Sequence, residues 1–423
     1  MKNKKTLIIG GGVTGLFTAF FLIKKGFDVT IIDDGPVPGL HSCSSGNAGM
    51  IVPSHFVPLA NKGTLKEGLF GSFTPGSAFG INWSADAGLI RWLATFLRNS
   101  FSEMIPQKTE TLAALHLESR DLFQLIQAAD IPDLSLELTG LFMVSSTSES
   151  FEQGKRSAGQ SNRLGIPAEI CSPEQFNALN PDLNAKLTGA VFYPLDGKVN
   201  PLPMLQNLAS WLKARGVTIV ENCSVTGWKA TGNQVIAAIS NDREFEADDF
   251  LICAGDRSGS IASLLGCEIP LQPGKGISFD CPNSGPVISH PTLLQDHHIA
   301  MTPYENHTRI AGNFLLGNRK NEISQDRLNR IHQSANHVFP GLKIPQPVSE
   351  NSWAGFRPVS PDGMPIIGRS KKYSNLLTGT GHAMMGISLG PVSGSILSDL
   401  TAGIALKPEY NRFLAPSRFS NSF

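Results

Sequence analysis

The chain has 423 residues, of which 41% are hydrophobic and 17% are charged. Its 35 basic residues balance 35 acidic ones, so it lacks the basic excess typical of nucleic-acid-binding proteins. The apolar fraction is too high and the net charge too low for a disordered chain. The length allows about two or three domains, and the 42 glycines indicate many positions where the backbone turns sharply or approaches a ligand.

Neither a targeting signal nor a membrane span is predicted. The basic residues 2–5 precede an apolar run that is too short and too rich in glycine for a secretory signal. No segment reaches the roughly 18 apolar residues of a spanning helix. The six scattered cysteines include no CxxC pair and predict neither a metal site nor a disulfide framework. We expect a cytoplasmic protein and leave open a peripheral position at the inner face of a membrane, where Arg91 and Arg98 would meet the surface.

The first 32 residues have the pattern of a βαβ unit. Residues 6–9 form an apolar strand, residues 13–25 carry apolar side chains at helical spacing, and residues 29–32 form a second buried strand. Gly26 is a suitable helix-stop residue. The short connections predict an α/β fold.

The rest of the chain alternates between strand-like and helical segments. Residues 42–61 and 75–81 are predicted as loops, and residues 86–130 as helical, with a first apolar stripe at Leu89, Trp92, Leu93, Phe96 and Leu97. Strands are predicted at 140–145, 189–193, 218–221, 250–253, 277–280, 299–302 and 308–314, a hairpin at 227–240, and helices at 203–216 and 325–338. From residue 352 we predict a loop, a short strand at 376–378, a glycine turn and a final helix to about residue 401.

A glycine pattern joins the first strand to the first helix. It reads Gly10-Gly11-Gly12-Val13-Thr14-Gly15 and fits GxGxxG, with an acid 21 residues after Gly12. Gly10 permits the tight turn, Gly12 admits a pyrophosphate at the helix N-terminus, and Gly15 allows close packing. Asp33, with Asp34 beside it, is the expected ribose acceptor and opposes the 2′-phosphate of NADP. A purely structural turn is the alternative interpretation.

Three further segments carry a resemblance to a known family. Residues 44–58 read SSGNAGMIVPSHFVP, residues 353–368 read WAGFRPVSPDGMPIIG, and residues 378–391 read TGTGHAMMGISLGP. With the glycine turn, and in this order, they resemble the FAD-dependent D-amino-acid oxidase superfamily. The closest match is its bacterial D-amino-acid dehydrogenase branch, which glycine oxidase and D-hydroxyproline dehydrogenase adjoin. The resemblance extends over nearly the whole chain.

The resemblance implies an α/β protein of two domains. A Rossmann-like FAD-binding domain would comprise residues 1–60, 196–257 and 350–423. A substrate domain of α+β type, with an antiparallel sheet flanked by helices, would comprise residues 61–195 and 258–349.

The resemblance also implies which residues contact FAD, beginning with the glycine turn. Ser44 would lie near the pyrophosphate, and the loop that follows would line the flavin ring with Asn47, Ala48, Gly49 and Met50. The adenosine half would meet Val225, Ala254 and Gly255. The pyrimidine side of the ring would be wrapped by Gly381, His382, Met385, Gly386, Ile387 and Ser388. Because Asn47 stands where some covalent relatives carry a flavin-linked histidine, we expect non-covalent FAD.

The expected chemistry explains several of these residue types. Hydride transfer from the substrate Cα to flavin N5 requires an anchored substrate carboxylate, and Arg357 stands where the family binds it. Arginine holds a carboxylate through two parallel hydrogen bonds, which fixes distance and rotation. The turn at 379–386 is expected to open the last helix and to offer N–H groups to the charge on the reduced flavin. A surface ion pair is the alternative role for Arg357.

Three other side chains are candidates for the site. His55 and Tyr304 are expected at the substrate pocket, with a plain loop position or packing as the alternatives. His382 is expected beside the flavin, where it would add positive charge or simply pack. His297 and His298 lack a third ligand in register, so no metal is predicted. No residue is assigned as acid or base, which agrees with catalysis by orientation and desolvation.

We therefore predict FAD-dependent oxidative deamination of a D-amino acid, of D-proline or hydroxy-D-proline type included, to an imine and then a 2-oxo acid. The partners would be a small amino-acid substrate and an electron acceptor, either a quinone or other carrier or oxygen. One alternative is a glycine- or sarcosine-type oxidase that uses oxygen. Another, from a different class, is a non-catalytic FAD-binding partner protein.

Overall fold

The computed structural model describes residues 4–71, 79–82, 87–241, 243–317, 320, 322–420 and 422–423. The strands are β1 (Lys5–Ile9), β2 (Asp28–Ile32), β3 (Met50–Ile51), β4 (Phe79–Ile81), β5 (Leu141–Ser145), β6 (Glu169–Cys171), β7 (Gly189–Tyr193), β8 (Gly197–Lys198), β9 (Thr218–Val220), β10 (Gly227–Thr231), β11 (Gln234–Ser240), β12 (Arg243–Glu246), β13 (Asp249–Ile252), β14 (Gln272–Pro282), β15 (Thr292–Leu294), β16 (Ile299–Pro303), β17 (His307–Leu316), β18 (Ser352–Val359), β19 (Ile366–Arg369) and β20 (Leu376–Thr380). The helices are α1 (Val13–Lys24), α2 (Lys62–Gly71), α3 (Ala87–Ser100), α4 (Ile105–Ala129), α5 (Ser148–Arg163), α6 (Pro173–Leu179), α7 (Pro201–Lys213), α8 (Ser258–Ser263), α9 (Gln325–Val338), α10 (Gly390–Thr401) and α11 (Pro408–Leu414). In the described part of the chain, every helix is too short or too polar to cross a membrane.

One sheet collects strands from distant parts of the chain, in the order β19–β20–β13–β1–β2–β9. Its neighbouring strands are parallel except for β19 and β20. All residues of β1 after Lys5 are buried, as expected for a parallel strand covered on both faces. The predicted βαβ unit is confirmed, and the fold is α/β.

A second, mostly antiparallel sheet has the order β18–β14–β17–β16–β15–β5–β7–β6, with β4 beside β17. The predicted loop from residue 352 is wrong, because β18 pairs with β14 along its whole length. Glycines in β18 and β14 make room for large side chains of β18. A Cβ at Gly355 would lie 2.1 Å from the Trp353 ring, and a Cβ at Gly276 would lie 2.2 Å from the Arg357 guanidinium.

The course of β18 also bears on the expected domains. The FAD-binding domain was expected to resume at residue 350. Strand β18, which follows that residue, belongs to the second sheet instead. The chain enters the first sheet again only at β19. The division into two domains stays a prediction, with this crossing placed after Val359.

Other differences from the sequence prediction are local. The predicted loop at 42–61 contains the short strand β3, and residues 79–81 of the predicted loop at 75–81 form β4, whereas residues 75–78 lie outside the described residues. Leu97, assigned to the buried stripe of α3, is 49% exposed, whereas Trp92 and Phe96 are buried. The helix after the glycine turn is followed by α11, so it is not the last.

The packing of α1 fixes the position of the glycine turn. A Cβ at Gly15 would lie 1.9 Å from Gly10 O, so only glycine permits this approach of helix and strand. On the opposite side α1 contacts α10, where Gly390 and Gly394 lie against Phe17. The N-terminus of α1 is thereby held at the carboxyl ends of the parallel strands.

Candidate functional site

A cavity of about 790 Å³ is lined by residues of both large sheets and of the loops between them. The predicted site residues that line it are Gly10, Val13, Thr14, Asp33, Asp34, Ser44, Asn47, Val225, Ala254, Gly255, Arg357, His382, Gly386 and Ile387. The predicted residues that do not line it are Gly12, Gly15, Ala48, Gly49, Met50, His55, Tyr304, Gly381, Met385 and Ser388. The structure thus gathers residues from all the predicted segments around one space.

The glycine turn forms one end of this cavity. Gly10 has a φ of +111°, which favours glycine, and α1 begins three residues later. Ser44 is fixed there because its Oγ accepts the Val13 N–H at 3.2 Å. A helix N-terminus with a hydroxyl beside it favours an anionic group.

Asp33 organises the neighbouring wall. Its Oδ2 accepts the Gly11 N–H at 2.7 Å, which ties the end of β2 to the glycine turn. Its Oδ1 lies 2.9 Å from Nε2 of His41, a lining residue that the sequence prediction missed. Asp34 contacts Arg257, another lining residue that was missed. His41 lies in a loop and Arg257 ends the 3₁₀ turn Gly255–Arg257, so no periodic pattern marks either residue.

Asp33, Asp34 and His41 place their ligand-type atoms within 4.8 Å of one another. This is the one such group in the described ranges of the chain. The carboxylates already have the backbone and side-chain partners given above, so we assign no metal to them. His297 and His298, set aside as metal ligands on sequence grounds, are not members of the group.

Arg357 lies in the cavity wall on β18, opposite Gly274 of β14. Its Nη1 donates to Asn313 O at 3.1 Å, and its guanidinium lies 5.9 Å from the centre of the Phe314 ring. Among the residues that the structure describes, no carboxylate forms an ion pair with it. Burial lowers the pKa of Arg357 to about 10, so the guanidinium stays charged at neutral pH without a paired anion.

Of the two alternatives for His382, added positive charge or simple packing, the structure favours packing. His382 is 3% exposed, and its Nε2 lies 2.8 Å from Ser393 Oγ. Burial lowers the pKa of this imidazole to about 4, so it is neutral at pH 7. His382 still lines the cavity, as a neutral side chain.

The turn at 379–386 does not lead directly into a helix. A short 3₁₀ turn, Ala383–Met385, intervenes, and α10 begins at Gly390. Ser388 and Met385 face His116 of α4, with Ser388 Oγ 3.0 Å from His116 Nδ1 and Met385 Sδ 3.3 Å from Nε2. These two side chains therefore support the cavity wall from behind.

His55 and Tyr304 were expected at the substrate pocket, with a plain loop position or packing as the alternatives, and neither of them lines the cavity. His55 Nδ1 lies 3.1 Å from Ser54 Oγ, and burial lowers its pKa to about 4. The single proton of the Tyr304 hydroxyl is shared between two carbonyl acceptors, Ala48 O at 2.8 Å and Val199 O at 3.0 Å. Because that hydroxyl is committed to backbone carbonyls, Tyr304 holds a loop and does not close the pocket.

The residues present fit FAD. The glycine turn and Ser44 suit a pyrophosphate, and a Cβ at Gly12 would lie only 3.4 Å from Ser44 Oγ in that approach. Asp33 suits a ribose hydroxyl. The cavity continues from these groups past Asn47 to Arg357, which provides space for a ring system and a small acid.

Comparisons with known proteins agree with this fit. The family described as DAO, FAD dependent oxidoreductase, matches residues 5–400. A D-amino acid dehydrogenase of Vibrio vulnificus is 28% identical over 407 residues, which cover 94% of this chain and 96% of the relative.

Solved structures show the same fold. Glycine oxidase from Bacillus cereus has a TM-score of 0.76 at 20% identity, covering 98% of this chain and 99% of its own. L-proline dehydrogenase from P. horikoshii has a TM-score of 0.73 at 19% identity, and the match covers 99% of this chain and 98% of the dehydrogenase chain. The match over most of the length, together with a cavity that fits the cofactor, shows that the chain belongs to the DAO family of FAD-dependent oxidoreductases.

Proposed function

We propose that the enzyme oxidises the Cα–N bond of a small D-amino acid. The substrate loses a hydride from Cα and a proton from nitrogen, and the imine product is hydrolysed to a 2-oxo acid and ammonia. Bound FAD supplies the two-electron acceptor for the hydride. The D configuration is supported by the likeness to the Vibrio vulnificus dehydrogenase.

The observation that carries the proposal is the unpaired charge of Arg357. The Arg357 side chain is partly buried. A guanidinium that is largely removed from water without a counterion is unfavourable, and a substrate carboxylate would supply the missing partner. The bond to Asn313 O leaves other N–H groups of the fork available for a bidentate carboxylate. Binding there would fix the rotation of the substrate as well as its distance from the cofactor.

The residues around Arg357 would orient the substrate and offer few groups that act as acid or base. The neutral His382 and the apolar Ile323 line the same cavity. Neutral and apolar groups beside the substrate amine would favour its neutral form, which the reaction requires. Water exclusion by these walls would also strengthen the pairing of carboxylate and guanidinium.

The direct test is anaerobic mixing of the holoenzyme with paired D- and L-amino acids, glycine, sarcosine and hydroxyprolines. We expect D-amino acids to bleach the flavin absorbance near about 450 nm faster than their L partners. Bleaching by glycine and sarcosine alone would favour the oxidase alternative. Failure of every amino acid, with dithionite still effective, would overturn the proposal.

The acceptor and the flavin linkage are proposed separately. We expect a quinone or dye to reoxidise the enzyme faster than oxygen does, which parallel assays of dye reduction and hydrogen peroxide will measure. Asn47 lines the cavity, and its Oδ1 accepts the Gly49 N–H at 2.8 Å, so it offers no nucleophile for a covalent link. Acid precipitation should therefore release FAD into the supernatant.

We place the acceptor at a membrane surface because of one face of α3. Ile90, Leu97 and the following Phe101 are exposed at helical spacing, 59%, 49% and 58% respectively. Arg91 and Arg98 are exposed on the adjacent side and would meet anionic headgroups. Sedimentation with anionic vesicles should retain the enzyme, and binding that survives Leu97→Ser with Arg98→Gln would contradict this placement.

A further inference from the structure

Four consecutive backbone carbonyls of the loop at residues 45–48 are held by side chains of the second sheet. The donor–acceptor distances are 3.2 Å from Arg309 Nη1 to Ser45 O and to Asn47 O, 2.9 Å from Ser278 Oγ to Gly46 O, and 2.8 Å from the Tyr304 hydroxyl to Ala48 O. The donors lie on β14, on β17 and directly after β16. The loop is therefore fixed at every residue by one face of one sheet.

Arg309 is suited to this arrangement by its geometry. Its Nε and Nη2 donate to the two oxygens of Asp280 at 2.8 and 2.9 Å, while Nη1 reaches the loop. Asp280 and Arg309 are opposite each other in the register of β14 and β17. Ser278, two residues before Asp280 on β14, lies on the same face of the sheet. The planar fork thus uses four of its five N–H groups, which a lysine could not reproduce.

The loop has little freedom to rotate away from these donors. Gly49 has a φ of +74°, and a Cβ there would lie 2.2 Å from Val199 O and 2.3 Å from the Tyr304 hydroxyl. The Trp353 ring covers Gly46, where a Cβ would lie 2.0 Å from the ring. A peptide flip in this loop would therefore require the sheet side chains to move.

The orientation of the carbonyls determines what the loop presents elsewhere. Within the described ranges, the amide N–H groups of Gly46 and Ala48 form no hydrogen bond to the chain. Because the carbonyls of these peptides face the sheet, their N–H groups point to the other side of the loop. Of residues 45–48 only Asn47 lines the cavity, and its own N–H donates to Ser44 O at 3.3 Å. N–H groups, and not carbonyls, therefore face the side on which a ring system would bind. N–H dipoles stabilise the negative charge that a flavin gains on reduction, whereas carbonyls would oppose it.

We propose that Arg309, Ser278 and Tyr304 are positioning residues that keep the N–H edge of the 45–48 loop toward bound FAD. In this way they strengthen FAD binding and raise its reduction potential. The inference requires that the chain binds FAD, and it holds whichever amino acid is the substrate.

The test uses the holoenzyme of wild type, Arg309→Gln, Arg309→Lys, Tyr304→Phe and Ser278→Ala. FAD affinity is measured by ultrafiltration, and the midpoint potential by equilibration with indicator dyes, without amino acid. We expect FAD to bind about fivefold more weakly in Tyr304→Phe, as one lost hydrogen bond implies, and more weakly still in Arg309→Gln. The potential of the bound flavin should become more negative in each variant.

Two comparisons separate positioning from general stability. Lys229→Gln breaks the exposed Lys229–Glu244 pair of the β10–β12 sheet, and it should leave affinity and potential unchanged. Arg309→Lys keeps the charge, so a lowered potential in that variant identifies the fork geometry as the cause. Variants that melt earlier but retain the wild-type potential would overturn the proposal. If Arg309→Gln does not fold, unchanged potentials in both Tyr304→Phe and Ser278→Ala would overturn it equally.

Discussion

Two arginines on the second sheet differ in every respect that decides a role. Arg309 on β17 binds Asp280 with two hydrogen bonds and two loop carbonyls with two more. Arg357 on β18 donates to Asn313 O and has no ion pair among the described residues. Although burial opposes its charge, the hydrogen-bonded Asp280 holds the pKa of Arg309 above its usual value, whereas burial lowers that of Arg357.

The difference indicates that two arginines of one sheet can have different roles, one in holding the fold and one in binding a ligand. An arginine whose N–H groups are occupied is a fixed part of the scaffold. An arginine that is desolvated without a counterion is poised for an anion from solution. The comparison therefore supports the proposals that Arg309 holds the 45–48 loop and that Arg357 binds the substrate carboxylate.

The largest expected effect follows from removing Arg357. In Arg357→Met the substrate carboxylate would lose its partner, and we expect KM to rise by at least about 100-fold, since breaking a buried pair costs roughly 3 kcal/mol. Steady-state kinetics with a dye acceptor measure it. FAD affinity should stay near the wild-type value.

Arg357→Lys and Arg309→Gln are the matched comparisons for this prediction. The lysine keeps the charge but not the fork, so KM should recover only partly. Arg309→Gln should change FAD affinity and potential more than KM. An unchanged KM in Arg357→Met would remove Arg357 from substrate binding.

A smaller effect is expected from Gly276→Ala. The added Cβ would lie 2.2 Å from the Arg357 guanidinium and would displace it. Misplacement of about 1 Å can cost up to about 100-fold in rate, and we expect roughly a tenfold loss in kcat/KM. Gly227→Ala is the control, because its Cβ would meet Ile239 at an ordinary 3.6 Å. Equal kinetics in the two variants would contradict the assigned position of Arg357.

The smallest expected effect concerns two carboxylates, Asp280 and Asp196, and is a change of stability with pH. Asp280 forms an ion pair with Arg309. The fully buried Asp196 accepts from Ser54, whose Oγ lies 2.5 Å and whose N lies 3.1 Å away, and the part of the chain that the structure describes places no ion pair on it. Burial raises the pKa of Asp196 from its usual 3.8 to about 7. Between these values the folded state holds the extra proton, so this contribution to stability is lost as pH rises from about 4 to about 7.

Melting curves of wild type and Asp196→Asn from pH 5 to pH 8 test whether this contribution to stability falls as the pH rises. The wild type should lose a few degrees of Tm more than the variant over this range. Asp121→Asn, at a side chain that is 67% exposed, serves as the control. Parallel pH profiles of wild type and Asp196→Asn would contradict the burial of a protonated carboxyl.

The sequence predicted best where local pattern and packing agree. The βαβ unit and α9 follow apolar periodicity, and the glycine turn has a fixed chemistry. Helix α5 was missed because it buries only small residues, Ser150, Gly154, Ala158 and Ser161, and so carries no apolar stripe. Its Thr147 cap, which accepts the Ser150 N–H, was the available signal.

The site was predictable only in part, because several of its contacts leave no local pattern in the sequence. Arg357 stands in a recognisable segment, but the strand β18 that carries it was predicted as a loop. Gly355 within this strand makes room for the Trp353 ring, a packing relation that no local pattern shows. Arg257 and Arg309 act through partners distant in sequence, Asp34 and Asp280. His41 contacts Asp33 within one irregular segment, and no regular spacing reveals any of these pairs.

The most direct test of the account compares an amino acid with the same amine lacking its carboxyl group. Anaerobic flavin reduction by D-proline and by pyrrolidine is measured in wild type and in Arg357→Met. We predict that wild type prefers D-proline by at least about 100-fold, and that the preference collapses toward unity in the variant. An equal preference in both proteins would show that another group binds the carboxylate.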